Sequence, residues 1–319
     1  MLIIIFIKNS ATGGTKMGTT YLGVVNVTPN SFSDGGKFLC PKAAINRAKQ
    51  LKKDGANVLD IGGESTNPKA KPITADEELA RVVPVLNVTS KTINVPISID
   101  TYHSKTAEVA AQFGATILNA TYGFSNPKIL EVAKKYKMSC IINHCGSGEY
   151  TKNFLSDQFK LITQHNIEPS KIYLDPGIGF GKTFIEDFKI ITSPQDFLPS
   201  GAKSLIGISR KRVTSVLMAL LSLKTNNNFN PTQELFSTNN NYLTTQDFEY
   251  VKKSESLHKI KKLVNFYEEV LTPEEIKGED PRDFITGVLC AVAVLNKIDA
   301  LRVHNVKLVK KMVSLLPAF

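Results

Sequence analysis

The stretch ISIDTYHSKTAEVAAQFGATILN, residues 97–119, contains one complete strand–helix–strand unit. Ile97–Asp100 and Thr116–Asn119 are short apolar runs typical of buried strands, and Ser104–Phe113 between them has helical periodicity. Strands joined through a helix pair in parallel, because the crossover returns the chain to the edge at which the first strand began. The unit therefore predicts a parallel sheet covered by helices.

The same alternation extends in both directions along the chain. The predicted strands are Leu22–Val27, Val58–Ile61, Ile97–Asp100, Thr116–Asn119, Ser139–Asn143, Ile172–Asp175, Leu205–Ile208 and Ala300–His304. These runs are apolar on both faces, which fits a sheet that is buried on both sides. Eight such units predict an α/β protein with a (β/α)8 TIM barrel, whose functional side chains belong at the C-terminal ends of the strands.

Composition excludes several classes of protein. With 42% hydrophobic and 21% charged residues, the chain is neither disordered, nor collagen-like, nor wholly embedded in a membrane. The net charge of +10 favours anionic partners, but the basic residues form no dense stripe, so small anionic substrates are favoured over nucleic acid. The four cysteines form no CxxC pair, which favours the reduced cytoplasm. The apolar start, Met1–Ile7, is shorter than the roughly 20 residues of a membrane span.

We predict a single domain over residues 1–319 with two additions. Residues 1–16 form an N-terminal strand or extension, and the polar, Asn-rich residues 224–280 form a partly disordered insertion before the last strand–helix unit. A charged helix is expected at about 246–271 within it. The insertion is either a tolerated loop expansion, since loop length costs little, or a docking or regulatory element.

Six motifs at the predicted strand ends resemble those of dihydropteroate synthases, in the order of that family. They are GVVNVTPNSFSDGG (23–36), DIGGESTNP (60–68), IDT (99–101), DPGIGFGK (175–182), GISRK (207–211) and RVH (302–304). The resemblance covers roughly residues 20–222 and 283–316. It implies a transferase of folate biosynthesis that joins 6-hydroxymethyl-7,8-dihydropterin pyrophosphate to p-aminobenzoate, releasing pyrophosphate and 7,8-dihydropteroate. It also implies a homodimer that is a target of sulfonamides.

The resemblance further implies a pterin site made of Asp100, Asn119, Asp175 and Lys211. The residue types suit this ligand, because a pterin presents an N–H and an exocyclic amine side by side and a carboxylate can accept both hydrogen bonds. The resemblance implies that Asp175 accepts these two hydrogen bonds. The alternative for Asp175 is a purely structural part in an Asp-Pro-Gly turn.

For the pyrophosphate, the resemblance implies Mg²⁺ beside Asn26, together with Arg302 and His304. Arg302 and His304 are two residues apart on a predicted strand, so both are expected to point to one face. Lys211, Asp100, Arg302 and His304 are the expected catalytic residues. Because the leaving group gathers negative charge, cations and oriented donors have their largest effect there.

For p-aminobenzoate, the resemblance implies Phe32, Thr66, Pro68, Phe180 and Ser209, with Lys211 beside them. The two phenylalanines could instead be core aromatics, but each lies in a Gly-rich loop outside the apolar runs.

The sequence departs from the family pattern at four places, namely Asn30, Asn67, Ala120-Thr121 and Asn143-His144-Cys145. Asn67 replaces an Arg that a dianion would engage, and a neutral amide cannot clamp phosphate as a guanidinium does. We therefore expect Lys69 or Lys71 to compensate in part.

Cys140 and Cys145 flank His144, but a zinc site needs about four ligands, so we interpret the cysteines as buried thiols. Two alternatives to the synthase stay open. One is a methyltetrahydrofolate-dependent methyltransferase, against which Arg302 and His304 argue. The other is a degenerate barrel that binds a pterin or a protein partner without turnover.

Overall fold

The computed structural model of this chain describes residues 18–28, 41–65, 71–221 and 244–316. Within them, eight parallel strands close into a barrel in sequence order, which confirms the predicted (β/α)8 fold. The strands are β1 (Thr20–Asn26), β2 (Val58–Gly62), β3 (Ile97–Asp100), β4 (Ile117–Thr121), β5 (Ser139–Asn143), β6 (Ile172–Asp175), β7 (Lys203–Ile206) and β8 (Ala300–Val303).

Helices surround this barrel and follow the strands along the chain. They are α1 (Pro41–Lys53), α2 (Ala75–Thr92), α3 (Ser104–Gln112), α4 (Pro127–Lys135), α5 (Thr151–Gln164), α6 (Phe184–Thr192), α7 (Arg212–Leu220), α8 (Thr245–Lys252), α9 (Glu255–Val270), α10 (Pro273–Ile276), α11 (Asp283–Leu295) and α12 (Val306–Ser314). None of the described helices is both long and apolar enough to cross a bilayer.

The inside of the barrel is divided into two layers. The lower layer is a small apolar cluster of buried side chains, Leu22, Val58, Ile141, Leu205 and Ala300. Since alternate strand residues point inward, Asp60, Asn143 and Arg302, each two positions after a member of this cluster, point inward above it. The strand sequences thereby place an apolar plug below and a polar mouth above.

The predicted charged helix at 246–271 is two helices, α8 and α9. The break falls at Ser254, whose hydroxyl accepts a hydrogen bond from the backbone N–H of Leu257 at 3.1 Å and so starts a new helix. The inner face of α9 is buried, and Tyr267 Oη donates to the carbonyl of Met312 at 2.8 Å. Residues 244–280 of the predicted insertion are thus a folded, packed part of the domain. Residues 224–243 and 1–16 lie outside the described residues.

Five strands end at other residues than predicted, and for β1 and β2 the difference is a single residue, with ends at Asn26 and Gly62. Strand β7 is Lys203–Ile206 rather than Leu205–Ile208, because Leu205 and Ile206 make its last pairs with β8 before the chain turns toward α7. Strand β8 ends at Val303, one residue before His304. Strand β4 runs two residues further than predicted, to Thr121, because it pairs with β5 as far as Asn143.

Candidate active site at the C-terminal mouth of the barrel

A polar pocket opens at the C-terminal ends of β3 to β8, directly above the apolar layer. Its lining residues are Asp100, Asn119, Thr121, Asn143, Asp175, Phe180, Gly207, Lys211 and Arg302. The four residues predicted to hold a pterin are all among them, as are Phe180 and Arg302. The strands therefore bring together six of the predicted site residues from widely separated parts of the sequence.

Arg302 on β8 binds two carboxylates across the barrel. Its Nε lies 2.5 Å from Asp60 Oδ2 and its Nη2 lies 2.6 Å from Asp100 Oδ2. Asn119 Nδ2 also faces Asp60, at 3.3 Å from Oδ2. Asp60 is fully buried, so a guanidinium partner offsets the large cost of removing its charge from water. Nη1 of Arg302 makes no hydrogen bond to any described residue, which leaves two N–H donors.

Asp100 is held from a second side by Thr121, whose hydroxyl donates to Asp100 Oδ1 at 2.8 Å. Burial raises the pKa of Asp100 to about 6, while the positive charge of Arg302 acts in the opposite direction. A carboxyl group with such a pKa changes its charge just below neutral pH. Thr121 follows Ala120, the first of the departures noted in this region, and it places a hydroxyl where it orients a pocket carboxylate.

Asp175 both forms a turn and lines the pocket. Its Oδ1 accepts a hydrogen bond from the backbone N–H of Gly177 at 2.8 Å. Asp175 therefore also has the structural part in an Asp-Pro-Gly turn that the sequence analysis gave as the alternative. Gly177 has φ +72° and a Cβ there would meet the carbonyl of His144 at 1.8 Å, so only glycine fits. Burial raises the pKa of Asp175. The turn orients the carboxylate, and the group remains part of the pocket wall.

Lys211 reaches into the pocket from the loop after β7. Its Nζ donates to the carbonyl of Ile178 at 2.7 Å and lies 3.6 Å from the centre of the Phe180 ring, a cation–π contact. Burial lowers the pKa of Lys211 to about 8, against the attraction of Asp175. Phe180 is thus a wall of the pocket and a partner of its cation rather than a core aromatic.

His304 does not line this pocket, contrary to the expectation that it shares a face with Arg302. It lies just beyond the end of β8, where its Nδ1 is 2.9 Å from Ser209 Oγ. Its carbonyl accepts a hydrogen bond from Arg47 Nη2 of α1 at 2.6 Å. Strand alternation no longer applies once the strand has ended, so the ring turns toward the loop that follows β7.

Arg210, between Ser209 and Lys211, holds this loop to the start of α11. Its guanidinium makes two hydrogen bonds with the fully buried Asp283, at 2.9 Å and 3.1 Å, and contacts Glu279 at 3.2 Å. The backbone of Arg210 is left-handed, with φ +60°. Such a conformation is strained for a residue with a side chain and persists where surrounding contacts impose it. The Asp283 clamp therefore fixes the shape of the Ser-Arg-Lys loop.

The Asn143-His144-Cys145 segment is held by hydrogen bonds among protein groups. His144 Nδ1 lies 2.9 Å from Thr151 Oγ1 and 3.2 Å from Lys182 Nζ. Cys145 Sγ lies 3.2 Å from Asn143 Oδ1. Burial and the neighbouring lysine lower the pKa of His144 to about 4. In the described part of the chain, no three His, Cys, Asp or Glu side chains cluster in a way that would hold a metal.

Asn26 is the residue that the sequence associates with Mg²⁺. It ends β1, is half-buried, and pairs with Gly62 of β2 at the same rim. An amide oxygen is a hard donor, and Mg²⁺ is commonly bound by one or two protein oxygens together with substrate phosphates and water. The residues present at this rim therefore fit an ion that arrives with its phosphate ligand.

Several predicted residues lie outside the described part of the chain. These are Phe32, Thr66 and Pro68 of the predicted p-aminobenzoate site, together with Asn30, Asn67 and Lys69. Lys71 is described and exposed. The structure neither adds to nor removes from the expectations for these positions.

The site list drawn from the sequence omitted Asp60 and Thr121. Asp60 was visible as a strand-end carboxylate, and its placement on β2 next to β3 could have indicated the pocket. Its pairing with Arg302, 242 residues away, depends on closure of the barrel and on which strand face each residue occupies. Thr121 had no such signal, because β4 extends past its predicted end.

Comparisons with known proteins point to one family. A family model described as pterin binding enzyme matches residues 22–234. The dihydropteroate synthase of Bacillus subtilis is 37% identical over 205 residues, 62% of this chain and 72% of that protein. The dihydropteroate synthase of Clostridium beijerinckii is 35% identical over 210 residues, 63% of this chain and 78% of that protein.

Solved structures match over most of the chain. A dihydropteroate synthase from Clostridium difficile, crystallised in the presence of pteroic acid, has a TM-score of 0.68 and 28% identity, covering 93% of this chain and 94% of that one. One from Anaplasma phagocytophilum, with bound 6-hydroxymethylpterin-monophosphate, has a TM-score of 0.67 and 27% identity, covering 93% and 97%.

Proposed function

This chain belongs to the pterin-binding enzyme family, and we infer that it is a dihydropteroate synthase of folate biosynthesis. The reaction joins 6-hydroxymethyl-7,8-dihydropterin pyrophosphate to p-aminobenzoate and releases pyrophosphate, which makes the enzyme a transferase. The observation that carries this function is the convergence of Asp100, Asn119, Asp175 and Lys211 on one pocket. Relatives that match most of the chain carry the same name, two of them in structures with pteroic acid or a pterin monophosphate.

The pocket is suited to the polar edge of a pterin. Asp175 can accept hydrogen bonds from the ring N–H and the exocyclic amine, while Asn119 offers a donor and an acceptor to neighbouring ring atoms. Asp100 can accept from the remaining ring nitrogens, and Lys211 can approach the carbonyl as a cation. These groups lie inside the barrel, directly above the apolar layer, so a bound pterin would have its polar edge shielded from water.

The leaving group needs positive charge, since negative charge builds on the pyrophosphate as the carbon–oxygen bond breaks. The pyrophosphate would be bound by Nη1 of Arg302, which has no partner among the described residues, together with His304 and Asn26. Mg²⁺ bound with the pyrophosphate would neutralise part of that charge, held at the rim by Asn26. The amine of p-aminobenzoate then forms the new bond, with Phe180 and Lys211 beside it. An arylamine loses its proton readily once alkylated, so positioning and electrostatics provide most of the rate increase.

A coupled assay tests this function directly. Purified protein is given dihydropterin pyrophosphate, p-aminobenzoate and Mg²⁺, and labelled dihydropteroate is followed. We expect turnover that EDTA abolishes, that a sulfonamide inhibits competitively with p-aminobenzoate, and that Lys211→Ala lowers at least a hundredfold. Lys134→Ala, which removes an exposed lysine of α4, is the matched control. Pterin binding without turnover in the intact protein would instead indicate the degenerate barrel.

The remaining expectations are part of the same proposal. We expect a homodimer in the cytoplasm, as the family resemblance and the cysteine content suggest. Sedimentation equilibrium at micromolar concentration tests the first, and a monomer at all concentrations would contradict it.

A further inference from the structure

Ser209 lies against His304, and its hydroxyl contacts two groups of that residue. Ser209 Oγ is 2.9 Å from Nδ1 of the ring and 3.2 Å from the backbone nitrogen. Ser209 is buried, and the two residues follow the neighbouring strands β7 and β8, which explains why two residues 95 positions apart in the chain are in contact. The sequence had assigned Ser209 to p-aminobenzoate and His304 to pyrophosphate.

The direction of these hydrogen bonds follows from the inventory of donors. The backbone N–H of His304 can only donate, so Oγ accepts there. Among the described residues, Nδ1 of His304 is the one acceptor within hydrogen-bond distance of the Ser209 hydroxyl. The hydroxyl hydrogen therefore makes a hydrogen bond only if Oγ donates to Nδ1. Nδ1 is then an acceptor, and the proton of the neutral ring is on Nε2.

The surroundings of His304 oppose a second proton on the ring. Burial lowers the pKa of His304 to about 3, and Arg210, Arg302 and Arg47 act in the same direction, with only Asp280 opposing them. Nε2 makes no hydrogen bond to any described residue. His304 therefore presents one N–H donor, held by a neighbouring hydroxyl and unaltered across the physiological pH range.

We propose that Ser209 is a positioning residue for the leaving group: its hydroxyl holds His304 as the neutral Nε2–H tautomer, and that N–H donates to the departing pyrophosphate. The identity of the anion rests on the proposed function. No proton is transferred in this role, since a neutral imidazole only donates a hydrogen bond. The Ser-Arg-Lys loop thus contributes at both ends of one substrate, with Lys211 at the pterin and Ser209 acting through His304 at the pyrophosphate.

The tautomer is tested on the protein without substrates. Long-range nitrogen–proton NMR spectra distinguish the two ring nitrogens, and His304→Gln identifies its signals among the five histidines. We expect a pure Nε2–H pattern in the native protein and in Ser209→Thr, which keeps the hydroxyl. Ser209→Ala should give a mixture of tautomers. Ser98→Ala, which removes a buried hydroxyl without a partner in β3, is the matched control and should leave the signals unchanged.

The link to the anion is tested by calorimetry with inorganic pyrophosphate and Mg²⁺. We expect Ser209→Ala and His304→Ala each to weaken binding about tenfold, the scale of one hydrogen bond to a charged group. The double variant should bind no more weakly than His304→Ala, because Ser209 acts only through that ring. Ser209→Thr should bind within about twofold of the native protein.

The outcomes separate this inference from the proposed function. An Nδ1–H ring, additive losses in the double variant, or no pyrophosphate binding by the native protein would overturn it. A Ser209→Ala variant that changes only the KM for p-aminobenzoate would also overturn it, in favour of direct contact with that substrate. If the tautomer and the coupling are as expected and the assay shows no dihydropteroate, the proposed function fails while the positioning role of Ser209 stands.

Discussion

The two layers inside the barrel are made by the same strands and differ in almost everything else. In the lower layer, Leu22, Val58 and Leu205 pack without polar neighbours, and each side chain gains stability from burial. In the upper layer, Asp60 is fully buried and Asp100 and Arg302 are largely buried, but they are charged. A buried ion pair is at best a weak source of stability, because desolvation cancels much of the attraction. Of the two layers inside the barrel, the lower one therefore contributes stability, and the upper one is suited to chemistry.

Arg302→Met should produce the largest effect, because it leaves the carboxylates of Asp60 and Asp100 without their cationic partner. We expect the free energy of unfolding to fall by about 3–5 kcal/mol and kcat/KM to fall at least a hundredfold, as for other lost charge-stabilising donors, by roughly 10²–10³. Urea denaturation and the synthase assay measure the two.

A second substitution shows whether the stability loss comes from the stranded carboxylates. Asp60→Asn added to Arg302→Met should recover part of the stability and none of the activity. Recovery of activity would mean that the guanidinium serves only to neutralise Asp60.

Leu205→Ala tests the opposite layer. Leu205 is fully buried, so the cavity should lower the free energy of unfolding by about 2–5 kcal/mol. We expect kcat and both KM values within about twofold of the native enzyme at a temperature where the variant is folded, since the layers share no side chain and distant sites are largely independent. A large change in kcat would show that the apolar plug also sets the geometry of the mouth.

As the pH falls below about 6, activity should decrease while the contribution of Asp100 to the stability of the fold increases. Protonation of Asp100, whose pKa is about 6, and loss of the proton from Lys211, whose pKa is about 8, predict a bell-shaped kcat/KM that falls up to tenfold per pH unit outside this window. The folded-state pKa of Asp100 lies above its unfolded value, so this group favours folding increasingly as the pH falls from about 7 to 4.

Asp100→Asn provides the control for both parts. It should remove the acid limb from the residual activity and remove this contribution to the pH dependence of unfolding. An acid limb that persists in Asp100→Asn would assign it to another group, with Asp175 the next candidate.

The smallest effect is expected from Thr121→Val, which removes one hydrogen bond to Asp100 at nearly constant volume. Because that bond lowers the pKa of Asp100, its loss should move the acid limb toward higher pH and reduce kcat/KM at pH 6 by about two- to fivefold, the scale of a single hydrogen bond. Thr121→Ser should keep the native profile. An unchanged profile in Thr121→Val would show that Arg302 alone orients the carboxylate.

The sequence was sufficient for the barrel, because eight apolar runs alternating with helical segments have few other solutions. It was less informative where a local pattern competes with contacts made later. The helix predicted at 246–271 breaks at Ser254, since a serine hydroxyl can cap a helix as easily as it can lie on one. The direction of His304 could not be predicted from its spacing to Arg302, because the strand ends between them.

The pairing of Arg302 was beyond sequence reasoning for a different reason. Arg302 and Asp100 were both recognisable as site residues, but the resemblance assigned them to different parts of one substrate, the pyrophosphate and the pterin. Only the closed barrel shows that Arg302 and Asp100 form an ion pair. It also shows that Nη1 of Arg302 has no hydrogen-bond partner among the described residues. The resemblance pointed to Arg302 and Asp100 as site residues, while the distances in the barrel show which of their hydrogen bonds are already made to other protein groups.

The Asp283 clamp on Arg210 has a consequence for how this chain could change in length. The clamp joins Arg210, before α7, to Asp283, which follows residues 244–280 in the chain. We expect changes of length in the connection between α7 and α8 to be tolerated as long as Arg210 keeps its hydrogen bonds to Asp283. The clamp would then let the chain between these two residues change in length while the Ser-Arg-Lys loop keeps its shape.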